Sequence, residues 1–340
     1  MPANHEVGTD LAAPSCMRVR TLGASGLTTP PLILGGNVFG WTADRATSHS
    51  VLDAFVSGGG RMIDTADAYS SWVSGNTGGE SESIIGEWLQ ARGRREDVVI
   101  ATKVGAEVFG GRGLAPERIT SAVEASLHRL RTDYIDLYFA HYDDPRTPLD
   151  ATLGAFDRLV KSGKVRAIGA SNYTAERLRN ALDTSASRSL AAYSVLQPEY
   201  SLVERAKFEG PLQNLCVDRG VAAVPYFALA SGFLTGKYRS TTDAAHKARG
   251  GAVARYLNDY GLGVLQALDA VAKATRTTPA QVALAWLAAQ PAVAAPIASA
   301  TTVAQVEELL GAMRLTLTPE QLLALDAESR RPQPTAPHAQ

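Results

Sequence analysis

Cysteine is almost missing from this chain: Cys16 and Cys216 are the only two in 340 residues, and they lie far apart. That excludes a disulfide framework and a cysteine-built zinc site, no metal is expected, and a reducing compartment, the cytoplasm, is implied. An excess of either charge is missing too. The 33 Lys+Arg against 34 Asp+Glu leave a formal net charge of −1, so the balance calls for neither a nucleic acid nor an anionic membrane as partner. No apolar run reaches the roughly 18 residues of a membrane span. The opening MPANHEVGTDLAAPSC carries acidic groups where a secretory signal needs an apolar core. The Gly-x-Gly-x-x-Gly turn of an open dinucleotide-binding sheet occurs nowhere.

What is present is an alternation of apolar strands and helices, in a chain with 45% hydrophobic residues and 20% charged ones. Strands are expected at 31–36, 61–66, 97–104, 134–141, 165–172, 191–200, 221–226 and 292–299. Between them run helical periodicities: Ile84, Ile85, Trp88 and Leu89 share one face, and Ile119, Val123, Leu127 and Leu130 another, with Pro116 near that helix's first turn. Further helices are expected at 149–164, from about Thr174, over 203–218, at 262–275 and 279–290, and after Thr302 and Pro319. A polar insertion spans 239–253. Strands apolar on both faces and separated by helices require a parallel sheet covered on both sides. Eight such units predict an α/β fold of the (β/α)8 TIM-barrel class with extra helices, over residues 17–330. Disordered tails are expected at 1–16 and 331–340, the latter Pro-rich.

In a barrel of this kind, chemistry gathers at the C-terminal ends of the strands. Those ends here read Asp64, Lys103, His141, Ser171 with Asn172, Gln197 and Tyr226. Alone, each has an ordinary explanation: a helix cap, a snorkelling lysine, a satisfied core histidine. Together they are a polar ring. The segments MIDTADAY, VVIATKV, LRTDYIDLYFAHYDD, IGASNY, VLQPEYSLVER and SGFLTGKYR resemble, in order and spacing, the signature segments of the aldo-keto reductase superfamily. The likeness runs from about Arg18 to Ser329 and is nearest the bacterial branch that resembles potassium-channel β-subunits.

The resemblance implies a barrel preceded by an N-terminal β-hairpin and a catalytic set of Asp64, Tyr69, Lys103 and His141. A carbonyl accepting hydride gathers negative charge on oxygen and needs a proton donor, the role implied for Tyr69. A free phenol titrates near 10, and an adjacent Lys103 ammonium is expected to lower that, with Asp64 anchoring the lysine and keeping it charged. Neutral His141 would orient the substrate oxygen. For a nicotinamide dinucleotide the resemblance implies Ser171, Asn172 and Gln197 at the carboxamide and Tyr226 stacked on the ring. Leu229, Ser231, Gly232 and Lys237 would hold the pyrophosphate, and Ser299, Thr301, Gln305 and Glu308 the adenosine end.

The chain departs from the pattern in three places. Neither Ser299 nor Gln305 is basic, Leu309 replaces an asparagine, and Phe227-Ala228 replaces Ser-Pro. NADPH is nonetheless expected, NADH being the alternative, with Arg239, Lys247 or Arg249 supplying charge for the 2′-phosphate. Trp41, Trp72, Phe109 and Tyr142 are expected to wall a pocket for an apolar, bulky carbonyl substrate. Two other activities fit the same ring: a Schiff-base lyase or aldolase with Lys103 as nucleophile, or a cofactor-sensing regulatory subunit. Oligomeric state has no signature in the sequence.

Overall fold

A computed structural model describes residues 19–108, 111–245 and 250–330. The expected tails at 1–16 and 331–340 lie outside the described residues, as do Phe109, Lys247 and Arg249. The chain opens with an antiparallel pair, β1 (Arg20–Thr21) and β2 (Thr28–Thr29). Eight parallel strands follow: β3 (Ile33–Gly35), β4 (Met62–Asp64), β5 (Val99–Val104), β6 (Ile135–Ala140), β7 (Val165–Ser171), β8 (Val195–Gln197), β9 (Ala222–Ala223) and β10 (Ile297–Ala298). From β3 to β9 each pairs with the next, and β10 returns to β3. The ring closes where the Ala294 and Ile297 amides donate to the carbonyls of Ala223 and Pro225, at 2.8 and 2.9 Å.

Alternation along the strands explains where the side chains at the strand ends point. One residue set packs inside the barrel, including Met62, Ala101, Phe139, Val195, Val224 and Ile297. The opposite set, with Ile63, Ile100, Tyr138 and Leu196, faces the helices. Two residues beyond an interior position the chain points inward again, one layer nearer the mouth. That step takes Met62 to Asp64, Ala101 to Lys103, Phe139 to His141, Val195 to Gln197, Val224 to Tyr226 and Ile297 to Ser299. Gly169 leaves the space that Phe139 fills, since a Cβ there would lie 2.5 Å from the phenyl ring.

The hairpin closes the opposite end. Leu22 and Leu27 join the interior cluster at 0% and 3% exposure. Gly23, at φ 56°, presses so closely on the barrel floor that a Cβ would meet the Ser194 carbonyl at 2.2 Å. No other residue fits there.

Helix starts follow capping chemistry. The side chains of Asp44, Thr174 and Thr302 accept amides at the starts of helices Arg45–Ser57, Ala175–Arg188 and Val303–Ala312. Capping boxes at Thr278 and Thr318 open Pro279–Ala288 and Pro319–Ser329. One expected helix is shorter than its apolar pattern suggested: 203–218 resolves to Pro211–Arg219. The preceding residues turn because Ser201 and Glu204 form an isolated bridge and Arg205 has work elsewhere. Its guanidinium bonds Glu209, Asp326 and the Ser329 hydroxyl and lies 4.8 Å from the Trp286 ring centre, tying the last helix to the barrel. The polar insertion contains the short helices Thr241–Ala244 and Gly250–Ala254. Among the described residues no helix is long and apolar enough to cross a membrane.

Candidate active site

Three of the four expected catalytic groups are in direct contact. Lys103 Nζ donates to Asp64 Oδ2 at 2.7 Å and to the Thr65 carbonyl and the Tyr69 hydroxyl, both at 2.8 Å. The Tyr69 hydroxyl also lies 3.2 Å from Asp64 Oδ2, and Gln197 Nε2 donates to Asp64 Oδ1 at 2.8 Å. Lys103 is 0% exposed and Asp64 1%. The ammonium therefore has an oxygen for each of its protons, which an ion in this surrounding requires. Tyr69 belongs to no strand. It sits on the loop leaving β4, and the turn is completed by Ser70 at φ 70°, whose hydroxyl donates to the Phe39 carbonyl at 2.8 Å.

The ionisation of this group differs from the sequence expectation. Burial raises the Tyr69 phenol well above its ordinary value, and the Asp64 charge and hydrogen bond raise it further. Lowering by Lys103 does not prevail, because the same burial that brings the ammonium close also penalises tyrosinate. Burial likewise lowers Lys103, against the pull of Asp64. The resting phenol is thus a neutral acid, with a proton to give. His141 completes the set, its ring centre 6.1 Å from that of Tyr69. Burial, and then the Lys103 charge, hold its imidazole well below 6.5, so it is neutral near pH 7. Its Nδ1 is buried without a partner among the described residues, so no protein acceptor pins the tautomer.

The expected carboxamide contacts form one chain of hydrogen bonds. Tyr226 donates its hydroxyl to Asn172 Oδ1 at 2.8 Å, and Asn172 Nδ2 donates to the His141 carbonyl at 3.0 Å. Ser171 Oγ donates to the Gln197 carbonyl at 2.9 Å. Asn172 follows the inward-facing Ser171, and its left-handed backbone, φ 58°, replaces the regular strand geometry that would have continued the alternation. Further round the rim, Ala230, Ser231 and Gly232 are successively left-handed at φ 48°, 58° and 93°. Leu229 precedes this turn, and a Cβ on Gly232 would lie 3.3 Å from Lys237 Nζ. The Ala230 and Gly232 amides are spent on the carbonyls of Phe227 and Leu229, both at 2.8 Å, so the nearby Lys237 ammonium is what suits this turn to an anion.

The remaining expected contacts are more dispersed. Ser299 Oγ donates to Asn37 Oδ1. The Thr301 amide and hydroxyl both donate to Gln305 Oε1, at 2.8 and 3.1 Å, while Gln281 Nε2 donates to the Glu308 backbone carbonyl at 2.7 Å. Arg239 is held by two 2.8 Å bonds to Asp269 and donates to the Gly236 carbonyl. The other two cations expected at a 2′-phosphate, Lys247 and Arg249, lie outside the described residues.

Three of the four expected pocket aromatics do gather at this mouth. The Trp41 and Trp72 ring centres stand 5.7 Å apart at 90°, and Trp72 meets the Tyr69 ring at 6.2 Å. Tyr142 stacks on His141 at 4.9 Å and 13°. Trp72 and Tyr142 are also the only aromatics among the exposed large hydrophobic side chains of the described residues, at 52% and 43%. Sequence reasoning missed Asn37 and the Thr65 carbonyl. Asn37 was within reach of the same two-residue step, from Ile33 through Gly35, whereas a backbone acceptor has no sequence signal.

A buried Asp–Lys–Tyr contact opposite a neutral histidine, at the mouth of a (β/α)8 barrel, defines a class of redox enzyme. Residues 31–329 match the Aldo/keto reductase family, and the chain belongs to it. It is 35% identical to an uncharacterized oxidoreductase, YrpG, of Bacillus subtilis, over 91% of this chain and 95% of that one. It is 31% identical to a probable voltage-gated potassium channel subunit beta of Arabidopsis thaliana, over 87% and 91%. With norsolorinic acid reductase B of Aspergillus parasiticus it shares 30% identity, over 93% and 85%. The protein is therefore an NAD(P)H-dependent oxidoreductase of a family that acts on small-molecule carbonyls and generally uses NADP(H).

Proposed function

We propose that the protein reduces an aldehyde or ketone with NADPH, Tyr69 donating the proton. The observation that carries this reading is the contact of the Tyr69 hydroxyl with Lys103 and Asp64 at the barrel mouth, facing His141. The bound dinucleotide supplies a hydride to the carbonyl carbon. His141 hydrogen-bonds the carbonyl oxygen and orients it, and Tyr69 passes its proton to that oxygen as charge develops. Lys103, already 2.8 Å from the phenol oxygen, stabilises the tyrosinate left behind. Asp64 and Gln197 fix the lysine. Ser171, Asn172 and Gln197 offer the amide and hydroxyl groups that a carboxamide needs, and the turn at 229–232 with Lys237 offers the anion site. A panel of carbonyl compounds, followed by loss of reduced-nicotinamide absorbance, tests the reading; no turnover with any of them would reject it.

NADPH is expected to outperform NADH in kcat/KM, and neutralising both Lys247 and Arg249 should shrink that preference. An NADH advantage in the unaltered protein would overturn this choice. The lyase reading gains from the lowered Lys103 pKa but fails on access. Nζ is fully buried, and its protons already point at three oxygens. Borohydride with a carbonyl compound should leave Lys103 unlabelled.

For substrate, the exposed Trp72 and Tyr142 faces favour a planar aromatic carbonyl over an aliphatic one. Trp72→Ala should raise KM for an aromatic aldehyde by about tenfold, since a ring contact is worth about 0.5–1.5 kcal/mol. It should barely change KM for a straight-chain aldehyde. Equal effects on both would remove the aromatic preference.

A further inference from the structure

The loops leaving β5 and β6 enclose a groove that the proposed reaction does not use. It holds about 290 Å³, with Arg112 and Gly113 on one side and Asp143, Asp144, Pro145 and Arg146 on the other. His141 stands two residues before Asp143, so their Cα atoms are at most about 7 Å apart. Tyr142, exposed and stacked on the His141 ring, comes between them in the chain.

The carboxylates of the groove are already committed. Asp143 Oδ1 accepts from Arg177 Nε at 2.7 Å. Asp144 accepts from the Leu114 amide at 3.0 Å, the Thr147 hydroxyl at 2.9 Å, and the Arg146 amide and Nε, both at 3.2 Å. Against the burial that raises it, these bonds hold the Asp144 carboxyl down at about 2. The cations are less occupied. Arg112 is exposed and has no hydrogen bond or ion pair among the described residues. Glu107, across the Val108–Gly111 bridge, forms no ion pair with it there. Arg146 spends Nε on Asp144, and its terminal nitrogens bond nothing among the described residues. Gly113, at φ 102°, brings the two arginines to one groove: a Cβ there would lie 2.5 Å from Asp144 Oδ2 and 3.3 Å from Arg146 Nη2. Counting Arg177, three guanidiniums meet two carboxylates, which leaves the groove one positive charge in excess.

We propose that Arg112 and Arg146 form an anion subsite, and that the substrate carries a carboxylate or phosphate across an aromatic ring from its carbonyl. This rests on the carbonyl-reductase reading of the mouth. Guanidinium forks suit either oxyanion. The order along the rim is then His141 for the carbonyl oxygen, Tyr142 for the ring and the two arginines for the anion.

4-Formylbenzoate and 4-formylbenzamide differ in charge and little else, and their reduction by NADPH tests the subsite. The acid should have the higher kcat/KM by roughly tenfold, through KM, the scale of one charge-assisted hydrogen bond at an exposed arginine. Arg112→Gln and Arg146→Gln should each erode that ratio, and Arg112→Glu should turn the preference toward the amide. 4-Formylphenyl phosphate separates the two anions: the one whose advantage falls further in Arg112→Gln is the class the subsite takes. No advantage for either anion over the amide, or an advantage that survives both glutamine substitutions together, overturns the proposal. If none of the aldehydes is reduced, the reductase reading falls, and calorimetric titration into the NADP⁺-loaded protein decides the subsite alone. Tighter binding of the acid than of the amide, lost in Arg112→Gln, would uphold it, and equal binding would overturn it.

Discussion

Tyr69→Phe is expected to abolish carbonyl reduction while leaving dinucleotide binding intact. Loss of a general acid costs about 10²–10⁴-fold, and here the loss should reach the upper end because few other protons are available. Lys103 has its protons committed to Asp64, Thr65 and the phenol oxygen, and His141 is neutral. The ring itself stays, so its edge contacts with Trp72 and His141 are retained. Fluorescence titration with NADPH separates the two effects. Near-normal turnover in the variant would mean that the proton arrives by another route.

The second large effect is expected from Lys103→Met, and it is one of stability as well as rate. The substitution leaves Asp64 as a buried carboxylate with Gln197 and Tyr69 but without its cation. Breaking one partner of a buried pair costs about 3–5 kcal/mol, which denaturant titration at neutral pH would register. Adding Asp64→Asn should recover most of that loss, because no buried charge is then stranded. It should not recover activity, since tyrosinate would still lack its stabilising cation. A double variant as unstable as the single one would show that packing, not charge, sets the cost.

Much of the barrel was readable because its strands are apolar runs separated by helical periodicity. Asp64, Lys103 and His141 each fall at, or one residue from, the end of such a run. Polar residues in such positions have few places to go but the mouth. Tyr69 was legible only through its family motif, as no periodicity governs a loop. Strand ends were less sharp: the apolar stretch at 191–200 contains a paired strand only over Val195–Gln197. The helix expected over 203–218 lost its first half because the side-chain demands of Arg205 and the Ser201–Glu204 bridge outweigh local periodicity.

Electrostatics was the least legible layer. The sequence puts an ammonium near a phenol, but not the burial that reverses the expected direction for Tyr69. Nor could it show that Arg239, 30 positions from Asp269, is paired with it by two bonds. Nor could it show that burial, with Glu82 adding to it, raises the Asp67 carboxyl to about 7 against the pull of Arg118 and Arg129 on a separate helix.

The hairpin floor has a dielectric consequence. With Leu22 and Leu27 sealing the lower end and Phe139 filling the middle, dissolved ions can approach the Lys103–Asp64 pair only from above. The Debye length at physiological ionic strength is about 8 Å, but it attenuates fields only where electrolyte penetrates. Added salt therefore weakens rim pairs such as Arg239–Asp269, 40% and 45% exposed, and leaves the inner pair almost untouched. The barrel thus carries two classes of ion pair, one tuned by the medium and one insulated from it.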